Sequence, residues 1–256
     1  MPDLPVTTED RDGVLVITIN RPQARNAVNA AVAEGITTAL ERLDTDDRLA
    51  VGVLTGAGGT FSAGMDLKAF LAGESPTVKG RGFGGLTRAE VRQPLIAAVE
   101  GWALGGGFEL ALACDLVVAA QDARFGLPEV SRGLVASEGG VIRLPQRLPH
   151  HVAMELLLTG DPLPATRAAE FGLVNRVVPS GQSTLDAALA LAARVRRNAP
   201  LALAAVKRIV RTSQGSDDHS AFTAQDEIVA PLLTSEDVRE GAQAFAEKRN
   251  PVWQGR

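Results

Sequence analysis

Four short apolar runs rich in β-branched residues, GVLVITIN (13–20), LAVGVLTG (49–56), PLIAAVEG (94–101) and DLVVAA (115–120), are separated by turns and helix-forming segments. Buried strands that alternate with helices join as parallel neighbours through right-handed crossovers, so the chain reads as α/β. The first crossover helix is expected from about Asn29 to Leu43, and a second starts near Asp66, whose carboxylate suits an N-terminal turn. After Pro179 the pattern becomes helical. LDAALALAARVRRN (185–198) and LALAAVKRIVR (201–211) are parted by Pro200, and SEDVREGAQAFAEKR (235–249) has an amphipathic repeat. Between the second and third strands, LAGESPTVKGRGFGGLTR is rich in Gly, Pro and Ser, which predicts a mobile surface loop of the kind that lines sites, centred on 73–86.

Composition excludes several classes. With 45% apolar and 22% charged residues over 256 positions, the chain has the means to bury a large core. Its formal net charge is −4 and its cations are scattered, so no basic stripe offers a nucleic-acid surface. The only cysteine, Cys114, lies in an apolar run and reads as a buried thiol, which makes the cytoplasm the expected location. The opening MPDLPVTTEDRDG is acidic and lacks the parts of a signal peptide. Glu109 and Asp115 interrupt the longest apolar region, which argues against a membrane span.

Chemistry concentrates at three turns. In ALGGGFELALACDL (103–116), Gly105, Gly106 and Gly107 permit a close backbone approach ahead of a helix whose positive end points at the turn. Read alone, such a turn is explained as well by tight strand-to-helix packing. In FSAGMDLK (61–68), Gly64 allows the same approach, Met65 presents its N–H, and Asp66 opens a helix; an ordinary capped turn has the same residues. Glu109 stands in an apolar stretch where a carboxylate must be paired, protonated or functional. Glu129 follows Pro128 in FGLPEVSRG (125–133) and in isolation reads as a surface glutamate. GGGFE lacks the GxGxxG spacing of a nucleotide fingerprint, Ser62 is not in a GxSxG elbow, and His150, His151 and His219 lack metal-ligand spacing, so no metal is expected.

Taken together, these residues resemble the crotonase superfamily, most closely the enoyl-CoA hydratases. The likeness runs from GVLVITINRPQARNAV through GLVNRVVP to AFAEKRNPVWQGR. The resemblance implies a spiral of ββα units over residues 1–198, followed by a C-terminal helical region over 199–256 that packs in trimers, commonly paired into hexamers. It implies an acyl-CoA thioester as ligand, with coenzyme A part of the substrate and no separate cofactor. The N–H groups of Met65 and Gly106 would hold the thioester oxygen, and Glu109 and Glu129 would act on water and on the α-carbon. The positions matching Arg25, Asn26, Ala27, Ala63, Asp66 and Lys68 would surround the CoA. Phe245 and Lys248 would reach the CoA of a neighbouring subunit, although a core aromatic and a solvated lysine explain them too.

The chain departs from many hydratases at Leu127, where they carry glutamine, and at Ala136 and Ser137, where they carry proline-glycine. Glu138 follows as a third acid, read either as a partner for a polar or cationic acyl chain or as a turn carboxylate. LPEVSRGLVASEGGVIRLP and the ending also resemble carnitinyl-CoA dehydratases. Enoyl-CoA isomerases usually use one acid, and a catalytically silent acyl-CoA or RNA binder would need neither glutamate.

Overall fold

The structure, a computed structural model, describes residues 4–256. Its strands are β1 (Val6–Arg11), β2 (Val14–Ile19), β3 (Val51–Gly56), β4 (Thr77–Val78), β5 (Gly82–Phe83), β6 (Leu95–Val99), β7 (Trp102–Leu104), β8 (Leu116–Ala120), β9 (Arg124–Gly126), β10 (Leu163–Pro164) and β11 (Arg176–Val178). Its helices are α1 (Ala30–Thr45), α2 (Leu67–Leu71), α3 (Gly106–Ala113), α4 (Gly140–Arg147), α5 (His150–Thr159), α6 (Ala165–Glu170), α7 (Thr184–Arg196), α8 (Pro200–Thr212), α9 (Asp218–Val229) and α10 (Glu236–Glu247). All four sequence-predicted strands are present.

The main sheet has six strands in the order β1-β2-β3-β6-β8-β11, parallel except for the β1–β2 hairpin. Both faces are covered, as a parallel sheet requires. Successive side chains point to opposite sides of a strand. Leu15, Ile17 and Ile19 of β2 and Leu95, Ala97 and Val99 of β6 therefore join one core, together with α1 and α3. Val14, Val53, Ile96, Ala98 and Val118 face the other way, onto Ala188 and Ala192 of α7. Helix α1 starts where Asn29 accepts from the Val32 N–H, and it buries Val32, Ile36, Ala39, Leu40 and Leu43 at helical spacing.

A second layer completes the spiral. After β6 and β8 the chain leaves the main sheet and adds β7 and β9 to a small sheet of order β10-β9-β7, which β10 joins after α5. Thus β6–β7–α3 and β8–β9 followed by helical chain are successive ββα units. Earlier turns continue this layer as single parallel bridges, Ser62 with Ala103 and Val28 with Met65. Helix α8 is tied back to the main sheet by Lys207, whose Nζ lies 2.7 Å from Asp115 Oδ2 and 2.6 Å from the Gln93 carbonyl. Among the described residues, no helix is long and apolar enough to cross a membrane.

One expectation needs correction, and one strand was not foreseen. The acidic opening contains β1, an edge strand with a mostly exposed burial pattern, so no apolar run announces it. The 73–86 segment is in part a fixed element: it carries the β4–β5 hairpin and buries Phe83, and Leu86 is buried at its end. Its glycines serve contact, since a side chain at Gly84 would lie 2.8 Å from Leu110 of α3 and one at Gly85 would run into Thr37 of α1.

Leu54 of β3 is 1% exposed in the core shared with α1. Leu54→Ala is expected to lower the unfolding free energy by about 2–5 kcal/mol. Chemical denaturation measures this, and a loss below ~1 kcal/mol would contradict the packing described.

Candidate active site

The second layer sets two backbone donors side by side. The parallel bridge from Ser62 to Ala103 lays the 61–68 turn along β7, directly before α3. Gly64 has a φ of +89°, and a Cβ there would sit 2.6 Å from the Leu104 carbonyl oxygen and 3.3 Å from the Gly106 nitrogen. Only glycine keeps that approach open. Gly106 is the first residue of α3, so its N–H has no intrahelical acceptor. Among the described residues, neither the Gly106 nor the Met65 N–H donates to another group. Two unengaged donors, one at a helix N-terminus, favour negative charge on an approaching oxygen.

Glu109 lies in the first turn of α3 and is only 3% exposed. Its Oε1 accepts from the backbone N–H groups of Glu138, at 2.8 Å, and Gly140, at 2.9 Å, where α4 begins. Burial pushes its pKa up to about 7; the Gly140 N–H opposes that shift and the negative charge of Glu129 adds to it.

Glu129 stands in the tight helical turn Pro128–Arg132 after β9. Its Oε2 is buried and, among the described residues, has no hydrogen-bond partner. Burial raises this carboxyl as well, while its own backbone N–H and the Arg132 charge pull it down. The carboxylate presses on the glycine turn: Gly105 has a φ of +55°, and a Cβ there would lie 2.8 Å from Glu129 Oε1. Both predicted glutamates therefore meet at the start of α3. Burial raises both carboxyls and neither has an ion-pair partner among the described residues, which suits proton transfer.

Other predicted positions behave differently. Arg25, with a left-handed φ of 51°, and Lys68 on α2 are exposed cations at the 21–28 and 63–68 turns. The Ala63 N–H donates to the Arg25 carbonyl, and the Ala27 carbonyl accepts from Arg21. Asn26 is fully buried: its amide accepts from the Arg21 N–H and donates to the carbonyls of Ala57 and Thr60. Asp66 caps α2 through the N–H groups of Lys68 and Ala69 and pairs with Arg21 at 2.9 Å. The side chains of Asn26 and Asp66 thus hold the fold together. Phe245 and Lys248 lie on and just after α10, which packs chiefly on the Leu232–Thr234 turn. One chain alone does not gather them with the glutamates.

Sequence reasoning missed Phe83, whose ring packs so closely on Gly106 that a Cβ there would lie 2.5 Å from two ring carbons. An aromatic flanked by glycines in GFGG was the available signal. Leu127 and Ala136 form the apolar wall beside Glu109, at 3.0 and 2.8 Å from where a Cβ on Gly140 would sit. Of the two readings of Glu138, the turn carboxylate is the one realised. Its oxygens accept from Phe83 N–H and the Thr87 hydroxyl and pair with Arg88, so it is not an open partner for a cationic acyl chain.

The raised Glu109 pKa links to stability. Because the folded protein holds this proton more tightly than the unfolded chain, the contribution is full below about pH 4.5 and is lost as pH rises through about 7. Glu109→Gln, which mimics the neutral form, should gain on wild type across that window, by on the order of 3 kcal/mol at pH 8. Denaturation of both proteins at pH 5 and pH 8 measures it. An equal gap at the two pH values would contradict the assignment.

Residues 9–256 match the family described as enoyl-CoA hydratase/isomerase. A carnitinyl-CoA dehydratase of Salmonella enteritidis is 44% identical over 251 residues, covering 95% of each chain. The crystal structure of an enoyl-CoA hydratase from Mycobacterium tuberculosis is 56% identical with a TM-score of 0.96, covering 99% of this chain and 100% of that one. A carnitinyl-CoA hydratase from Mycobacterium avium is 48% identical with a TM-score of 0.78, over 99% and 100% of the two chains. Match length, identity and the spiral of ββα units agree: the chain belongs to the enoyl-CoA hydratase/isomerase family, the crotonases.

Proposed function

We propose that this protein adds water across a trans-2-enoyl-CoA to give a 3-hydroxyacyl-CoA, with Glu109 and Glu129 as its acid–base pair. The observation that carries this reading is the convergence of two carboxyls without ion-pair partners, Glu109 buried and Glu129 partly buried, on a turn with two unengaged N–H donors. In the reaction, the ionised carboxylate takes a proton from water as the water oxygen bonds to Cβ. The C=C π pair moves toward the thioester, whose oxygen gains charge between the Met65 and Gly106 N–H groups. The protonated carboxyl then delivers its proton to Cα, and the C=O re-forms. Each donor contributes about 3–4 kcal/mol of transition-state stabilisation in such sites. Two carboxylates in one small site do not both ionise cheaply, so the pair holds one proton to give.

The CoA would lie along the Arg25–Ala27 backbone and Ala63, with Arg25 and Lys68 as exposed cations near its phosphates. A second reading, dehydration of a carnitinyl-CoA thioester, is favoured by the 44% identity to enzymes of that name. It runs the same proton transfers in reverse. An isomerase needs only one of the two acids, and a silent binder needs neither.

The deciding experiment follows loss of the conjugated enoyl-thioester absorbance with crotonyl-CoA, in wild type, Glu109→Gln and Glu129→Gln. Each substitution should cost on the order of 10²–10⁴-fold in kcat. Hydration by wild type at unchanged rate in both variants would sink the two-glutamate mechanism. Turnover of carnitinyl-CoA but not crotonyl-CoA would select the second reading.

We propose further that residues 199–256 assemble the chain into a trimer, alone or paired as a hexamer. Val206, Val210, Phe222, Leu233 and Phe245 are each more than half exposed there, large apolar side chains of the kind that subunit contacts cover. Light scattering should give three or six times the 26.8 kDa chain mass. A monomer at micromolar concentration would end this proposal.

A further inference from the structure

Glu138 connects the 82–88 segment to the turn that holds Glu109. Its carboxylate reaches across to the 82–88 segment, where Oε2 accepts from the Phe83 N–H at 2.9 Å and the Thr87 hydroxyl at 2.8 Å. Its Oε1 meets the Arg88 guanidinium at 2.9 Å. Its own N–H, at the other end of the same residue, holds Glu109 Oε1 at 2.8 Å. Arg143 of α4 closes the ring by donating to the carbonyls of both Glu138 and Thr87.

What this network seats is next to the chemistry. Phe83 packs against Gly106, one of the two unengaged donors, and Thr87 is 1% exposed. Losing the carboxylate would leave a buried N–H and a buried hydroxyl without acceptors, which a loop relieves by moving. Phe83 would then leave Gly106, and the turn that supplies two N–H groups to Glu109 would lose its brace.

We propose that Glu138 is a positioning residue: its carboxylate clamps the 82–88 segment so that Phe83 stays on Gly106 and Glu109 stays on the α4 N-terminus. This deepens the hydration reading and rests on it for its kinetic part. The charges facing Glu109 are Glu129 after β9, Glu138 before α4 and Arg143 on α4. The Glu138 charge adds to the upward shift of Glu109, so a neutral replacement that keeps the clamp should move the Glu109 limb of the pH–rate profile to lower pH.

Glu138→Gln and Glu138→Ala separate the clamp from the charge, because the glutamine carbonyl oxygen can still accept from Phe83 and Thr87. Two readouts are used on the full-length protein: steady-state kinetics with the enoyl-CoA that wild type turns over, and amide hydrogen exchange across residues 82–88. Glu138→Ala should lose exchange protection there and lose about 10²-fold in kcat with a smaller change in KM. Glu138→Gln should keep both the protection and most of kcat. Glu138→Gln, which removes the charge and keeps the clamp, should show the downward-shifted limb; the recovery of kcat and protection by glutamine but not alanine is what marks positioning. Unchanged protection and rate in Glu138→Ala, or equal losses in the two variants, overturns the proposal. If Glu138→Ala fails to fold, Glu138→Gln decides alone: lost protection across 82–88 overturns the proposal, and retained protection with most of kcat supports it. If wild type turns over no acyl-CoA, the hydration reading falls, and the exchange comparison still settles the clamp.

Discussion

The site depends on keeping a carboxylate inside an apolar helix. Glu109 stands among Phe108, Leu110, Ala111 and Leu112, all buried, where an unassisted charge would be excluded. Two N–H groups at the start of α4 hold one of its oxygens, enough to place the carboxyl but not enough to return it to an ordinary acidity. A group so balanced gives and takes a proton near neutral pH. Much of the surrounding structure follows from that balance: the left-handed Gly139 that lets the chain turn into α4, the Arg143 bridge, and the 82–88 segment laid over α3.

The spiral supplies what a single ββα unit lacks. Met65 comes from one turn of the spiral, Gly106 and Glu109 from the next, and Glu129 from the one after. Parallel pairing in the second layer stacks the ends of these units, so equivalent corners converge on one place. Glycine at 64 and 105 then removes the side chains that would fill the gap.

The glutamates and their turns were legible because their signature is local: an acid out of place in an apolar helix, and glycines at strand-to-helix corners. Asn26 and Asp66 were legible as positions but not as roles. Whether an amide faces a ligand or three backbone groups depends on segments distant in the chain, here Ala57, Thr60 and Arg21. Strands β7, β9, β10 and β11 have two or three residues each, too few to show a period. The 82–88 segment was obscured for another reason, since the glycines that suggest mobility are those that allow close packing.

Sequence alone determined the alternation of buried strands and helices, the helical C-terminal region and the residues that occupy the corners, because periodicity and turn chemistry act over a few neighbouring residues. Only the tertiary structure decided that the Met65 and Gly106 N–H groups lie together, that Glu109 is desolvated, and that Glu138 faces Phe83 and Thr87 instead of an open pocket. Those outcomes depend on desolvation and hydrogen bonds between distant segments, which the order of residues does not display.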